Sequence, residues 1–353
     1  MTSKNPFLQK YNTIAKFYNQ VWLIAILLAV GLFIMQIATG NLTQKKETTN
    51  FQEFGCYQTP DNKLIKLEEY EPQTNTELSI IEFDQVIRTK LRVNEIPPIN
   101  EPKFSQNHDE ILKCIDEEEK AIVLEGSNET KIYPFKILQQ HLIINDFIDG
   151  KPILVSICAL CNSPSVYERT IDAKELTFGT TGLLYRNNDL FFDDSTNSLW
   201  SQINGKAVVG DSVGQNLSRI NFKTMSLKNA VLQYSESNIL TFDTGYRRNY
   251  SDSSFKDYEK SDTTLSPVLN SSDKFAKKDT VYAFEIDEQI YAMNSADAEK
   301  EDFRIKTPND IQIKTIYENG ITRLFVNDQE TQYIQSYWYV WYDHYPETIA
   351  LKP

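Results

Sequence analysis

Histidine is scarce in this chain, with three in 353 residues, and cysteine is nearly as scarce, with four. His108, His141 and His344 leave few candidates for a general base or a metal cage. Only one Cys-x-x-Cys is present, whereas structural zinc knuckles come in pairs. No Gly-rich phosphate loop appears, so the nucleotide-binding signatures built on one are missing. Long helical periodicity is missing too, which argues against a helix bundle. Basic residues are in deficit, with 36 Lys and Arg against 49 Asp and Glu and a net charge of −13. A chain this acidic lacks the positive surface that nucleic-acid phosphates require. The acidity is spread along the chain, which suits solubility rather than cation storage.

One long apolar run is present. Residues 21–38 read VWLIAILLAVGLFIMQIA without a charge, close to the ~20 residues that span a ~30 Å hydrocarbon core. Lys4, Lys10 and Lys16 precede it, and cationic flanks stay in the cytoplasm. Residues 1–20 therefore read as a cytoplasmic N-terminus and 21–38 as a transmembrane anchor, with a cleaved signal peptide as the alternative. Residues 39–60 form a polar linker, and 61–353 a domain outside the cytoplasm, in the periplasm or cell envelope. The membrane is thus the expected partner, through residues 21–38.

The remainder reads as mainly β with a few short helices, an α+β arrangement of antiparallel hairpins. Asp149-Gly150, Asn204-Gly205 and Asn319-Gly320 each separate two apolar runs, and such pairs favour the positive φ that tight hairpin turns need. Helices are expected within residues 105–119, 134–144 and 227–234. The aromatic run 337–342 (YWYVWY) alternates as a strand with large rings on both faces. Segments 121–134 and 281–292 echo one another as strand–turn–strand, each carrying Ile-Tyr, and suggest an internal duplication.

Chemistry concentrates at Cys158-Ala159-Leu160-Cys161, directly behind the apolar run Ile153-Leu154-Val155-Ser156-Ile157. Three readings of the pair stand side by side. Cys158 and Cys161 could form half of a transition-metal site for Zn or Cu, completed by His141. They could be a redox dithiol, although Asn162-Ser163-Pro164 is a poor start for the helix that lowers a thiol pKa. Or they form a structural disulfide, as an oxidising compartment permits. Cys56 and Cys114 read as structural. His141 has a core role as its plain alternative, hydrogen-bonded to a carboxylate such as Asp146. Asp189, Asp193 and Asp194 lack the order of a calcium loop and read as turn formers. Arg169, Arg186, Arg247 and Arg248 are either an anion clamp or scattered ion pairs.

From residue 96 onward the chain resembles a bacterial family known as domain of unknown function 3179. The resemblance rests on IPPINEPKF (96–104), YPFKILQQH (133–141), CALCNS (158–163), LTFGTTGLLYRNNDLFFDDSTNSLWSQINGKAVVG (176–210), TGYRRNY (244–250) and YWYVWYDHYPET (337–348), in that order. The family's cysteine turn carries Pro and Gly where this chain has Ala159 and Asn162. The resemblance implies a shared fold over residues 96–353 and no activity. Three functions follow from the residues: a binding or accessory module with a metal site, a thiol–disulfide oxidoreductase, or a structural or interaction protein of the envelope.

Overall fold

The computed structural model describes residues 72–250, 256–264 and 266–353. The apolar run 21–38, the linker 39–60 and Cys56 lie outside them. Among the described residues no helix is long and apolar enough to cross a membrane. Strands dominate, and the helices are short.

Two of the sheets share one plan. In the first, the hairpin Lys120–Glu125/Thr130–Pro134 leads into the short helix Phe135–Gln139. Strand Lys223–Ser226 pairs antiparallel with the first arm, helix Leu227–Gln233 follows, and strand Asn238–Leu240 pairs parallel with the second arm. In the second, the hairpin Thr280–Ile286/Gln289–Asn294 leads into helix Ser295–Ala298, and Ile334–Tyr337, helix Trp338–His344 and Ile349–Leu351 take the same places.

The registers agree as well. Ser226 faces Lys120 as Tyr337 faces Thr280, and Ile239 faces Ile132 as Ala350 faces Ala292. Tyr234-Ser235-Glu236-Ser237 then matches Tyr345-Pro346-Glu347-Thr348. In each, the N–H of the last residue donates to the tyrosine carbonyl. The Ile-Tyr echo in the sequence is out of step by two residues, because Ile132 corresponds to Ala292.

Further sheets are inserted into each unit. Between the hairpin and return strand of the first lie the sheet Ile143–Ile148/Lys151–Cys158/Ser163–Glu168 and a sheet holding Phe178–Tyr185 and Asn188–Asp193. Asp149 and Gly150 take φ of 49° and 77°, and Asn319 and Gly320 take 55° and 82°, as tight hairpin turns require. Arg186 and Asn187 make an equivalent turn at 48° and 63° without a glycine, so composition does not announce it.

Three segments differ from their sequence reading. The aromatic run 337–342 is mostly helix: Tyr337 ends a strand and caps Trp338–His344. Trp338, Tyr339, Val340 and Trp341 are all buried, and a segment covered on every side has no polar stripe by which to tell helix from strand. Within 134–144 the helix stops at Gln139, and the strand Ile143–Ile148 begins after Leu142, whose φ is 62°. Within 105–119 only His108–Leu112 is helical.

Candidate ligand pocket

The Cys-x-x-Cys turn joins the two units. Cys158 and Cys161 are disulfide-bonded and have no exposed surface. They belong to one buried cluster with Ile203, Val281, Ala283, Ala292, Tyr337 and Trp338. The Cys161 carbonyl accepts the Tyr337 N–H at 2.7 Å, and Gln335 Nε2 donates to the Asn162 carbonyl at 3.0 Å. Asn162 Nδ2 donates to Thr280 Oγ1 at 2.8 Å.

His141 is fully buried and has both ring nitrogens engaged, Nδ1 with the Pro97 carbonyl at 2.7 Å and Nε2 with the Tyr250 hydroxyl at 2.8 Å. Burial pushes its pKa down to about 4, so it is neutral at pH 7. Asp146, its expected partner, instead serves Lys131 at 3.1 Å and the Tyr133 hydroxyl at 2.7 Å. Among the described residues no group of His, Cys, Asp and Glu is arranged to hold a metal ion. Cys114 is itself disulfide-bonded. Asp193 is a turn former, accepting from Ser195 N, Thr196 N and Trp200 Nε1. Arg169 is buried between Glu175 and backbone carbonyls, Arg186 donates to the Asp343 carbonyl, and Arg248 donates to the Glu95 carbonyl.

Asp189 behaves differently from the other aspartates. It lies on strand Asn188–Asp193 opposite Leu184, two residues beyond the Arg186-Asn187 turn. Its neighbours point into the core and are satisfied. Asn188 bonds Gln202 Oε1 at 3.0 Å and the Ile203 N–H at 3.0 Å, and Asn187 accepts the Ser266 N–H at 2.9 Å. Alternation turns Asp189 to the other face. There, itself half-buried, it lines a small pocket of about 60 Å³ with Leu142, Leu160, Leu184, Leu190, Phe191 and Arg92. Its carboxyl group has no hydrogen-bond or ion-pair partner, and loss of hydration alone raises its pKa to about 7.

Two features hold the pocket open. Strand Phe178–Tyr185 carries a bulge between Thr180 and Leu183, where Gly182 takes φ 68°. A Cβ at Gly182 would stand 2.4 Å from the Leu91 carbonyl oxygen. The loop 89–96 is tied across the bulge: Thr89 N–H donates to Gly182 O at 2.9 Å, Thr180 N–H to Asn94 Oδ1 at 3.0 Å, and Thr180 Oγ1 to Ile96 O at 2.8 Å. Thr181 Oγ1 donates to Leu190 O at 2.5 Å. Both threonine hydroxyl protons are therefore spent on the framework. Leu142 reaches the pocket from its left-handed backbone, a conformation that costs about 1–3 kcal/mol for such a residue and marks constrained sites.

Sequence reading grouped Asp189 with the turn aspartates because burial of one face of a strand is invisible when both faces are largely apolar. The expectation that the chain has no Gly-x-Ser-x-Gly is corrected by Gly210-Asp211-Ser212-Val213-Gly214, which fits that pattern. That stretch is a turn with no helix after it. Ser212 Oγ meets only Thr196 Oγ1, at 3.1 Å, so the nucleophile elbow is not built.

Residues 93–334 match the family model described as "Protein of unknown function (DUF3179)". No curated protein and no solved structure matches the chain.

Proposed function

The chain belongs to the DUF3179 family, whose description supplies no activity, and from its geometry we propose a ligand-binding module with its site in the Asp189 pocket. The carrying observation is a carboxyl group without a partner, facing a largely apolar cavity whose one cationic lining residue, Arg92, is paired with Glu95 at 3.6 Å. A desolvated titratable group without a partner, sitting in a cleft, is a candidate for a site that a ligand completes. The chemistry fits a small cationic head, an ammonium on a short carbon stem. Asp189 supplies the counter-charge, and Leu142, Leu160, Leu184 and Phe191 enclose the stem.

In this reading the disulfide is structural. Thiol exchange needs an attacking thiolate to reach a sulfur, and neither sulfur has exposed surface. The turn shapes the site instead, with Ala159 and Leu160 lining the pocket while the sulfurs hold the second unit. We place the module outside the cytoplasm, carried by residues 21–38 as a membrane anchor. A disulfide suits that compartment, and protease added to intact cells should remove the domain.

Methylammonium tests the site. Titration of Asp189, followed by its carboxyl carbon resonance, should move below its ligand-free midpoint when the probe saturates. The probe should also raise the melting temperature of the wild type and leave Asp189→Asn unaffected. An unchanged Asp189 titration would end this reading.

A further inference from the structure

A second, independent feature lies on the other side of the junction between the units. A groove of about 730 Å³ runs between the edge strand Lys223–Ser226 and the strands Ile321–Val326 and Gln329–Thr331. Val123, Ile220, Phe222, Leu324 and Tyr333 make its apolar walls. Its charged groups are compensated with one exception. Lys223 pairs with Glu125, and Arg323 with Glu330 through two parallel bonds at 2.9 and 2.6 Å.

The exception is Arg219. Its Nη1 donates to the Tyr167 hydroxyl at 3.2 Å and the Ile203 carbonyl at 3.5 Å, and the guanidinium lies over the Tyr167 and Phe222 rings at 5.6 and 5.9 Å. Nη2 is buried and unpartnered, and both side-chain hydrogen bonds of Arg219 come from Nη1. In a chain of net charge −13, no described carboxylate pairs with this arginine. The unused Nε–Nη2 edge is one of the edges that a carboxylate takes in a bidentate pair. The aromatic contacts hold the guanidinium in place, and because Nη2 is covered in the ligand-free groove, a side chain over it must shift for a carboxylate to reach this edge.

We infer that this groove binds a carboxylate-bearing ligand of about tripeptide size, its carboxylate on the Nε–Nη2 edge of Arg219 and its apolar side chains along Phe222 and Leu324. A net positive charge of one, from a single unpaired guanidinium, matches one carboxylate. The groove walls come from both units, so occupancy would brace the junction.

The test uses the full chain with N-acetyl-Ala-Phe-Ala as the free acid, the same peptide as its C-terminal amide, and inorganic phosphate. Calorimetric titration should show saturable binding of the acid, with the amide weaker by about tenfold or more. Arg219→Lys should weaken the acid by a similar factor, because an ammonium loses the planar fork. Asn221→Trp, at an exposed position on the groove wall, should block the acid with the melting temperature unchanged, which keeps the test decisive if Arg219→Lys fails to fold. Asp189→Asn should bind the acid normally, so failure here and failure of the pocket reading are distinguishable. Equal binding of acid and amide, competition by phosphate without acid binding, or no saturable binding of either would each overturn the inference.

Discussion

The Cys161 carbonyl and the Tyr337 N–H meet at 2.7 Å, and through that bond the disulfide turn of the first unit docks onto the edge strand of the second. Asn162 adds two more links, to Gln335 and Thr280. The turn is therefore a joint, and its bridge fixes the geometry of the joint.

Replacing both cysteines by alanine should lower stability by about 2 kcal/mol. The bridged loop is very short, so the chain-entropy gain falls below the ~3 kcal/mol of a 15-residue loop, and packing loss in a closed apolar site adds to it. Denaturant unfolding of Cys158→Ala/Cys161→Ala measures this. The folded wild type should also resist dithiothreitol until it unfolds. Rapid reduction of the native protein would contradict the buried-joint account.

Sequence and structure agree where a residue type dictates backbone geometry, and part where packing decides. Asp149-Gly150 and Asn319-Gly320 announce their hairpins by composition, whereas Asp172-Ala173, Arg186-Asn187, Asp287-Glu288 and Asn327-Asp328 take the same two positive φ angles without a glycine. The Arg186-Asn187 turn has no such signature, and with it the outward face of Asp189 is lost. The run 337–342 reads as strand because burial on all sides erases helical periodicity. Cys158 and Cys161 are legible as a pair, yet their isolation from solvent depends on Trp338, Tyr337 and Phe275 far along the chain.

Gly182 is a place where one methyl group should matter. Alanine there would need a left-handed backbone and would strike the Leu91 carbonyl oxygen. Gly182→Ala should cost about 1–3 kcal/mol and reduce methylammonium binding by moving loop 89–96. Urea unfolding and a probe titration check the two effects separately. Full retention of both would show that the bulge does not shape the pocket.

Acid should destabilise the fold through two histidines. His141 and His344 are held neutral by burial, each with a pKa lowered from 6.5 to about 4. His344 Nδ1 lies 3.0 Å from the Val340 carbonyl, and its Nε2 is buried without a partner. Below pH 6.5 the unfolded chain takes up protons that the folded chain refuses. Stability from these groups is complete above pH 6.5 and falls toward pH 4, by at most about 1.4 kcal/mol per pH unit for each. His344→Phe keeps the ring against Tyr185 and should halve the histidine part of the slope. An unchanged slope would show that His344 is protonated as readily folded as unfolded.

Asp189 should act in the opposite direction. Its pKa rises from 3.8 to about 7 on folding, so between those values the folded chain holds a proton that the unfolded chain has lost. Stability from this group is full below pH 3.8, declines as pH rises, and is gone above about 7. Asp189→Asn removes the penalty, since a neutral amide of nearly the same shape has no charge to desolvate. The variant should gain on the wild type steadily from pH 4 to 7, by up to about 1.4 kcal/mol per pH unit, and keep its advantage at pH 8. It should at the same time lose its response to methylammonium. Parallel stability curves for the two proteins would mean that the Asp189 carboxyl is hydrated or paired, and would remove the strongest reason for regarding the cavity as a binding site. The expected divergence would identify Asp189 as a residue kept at a cost to stability, as ligand sites commonly require.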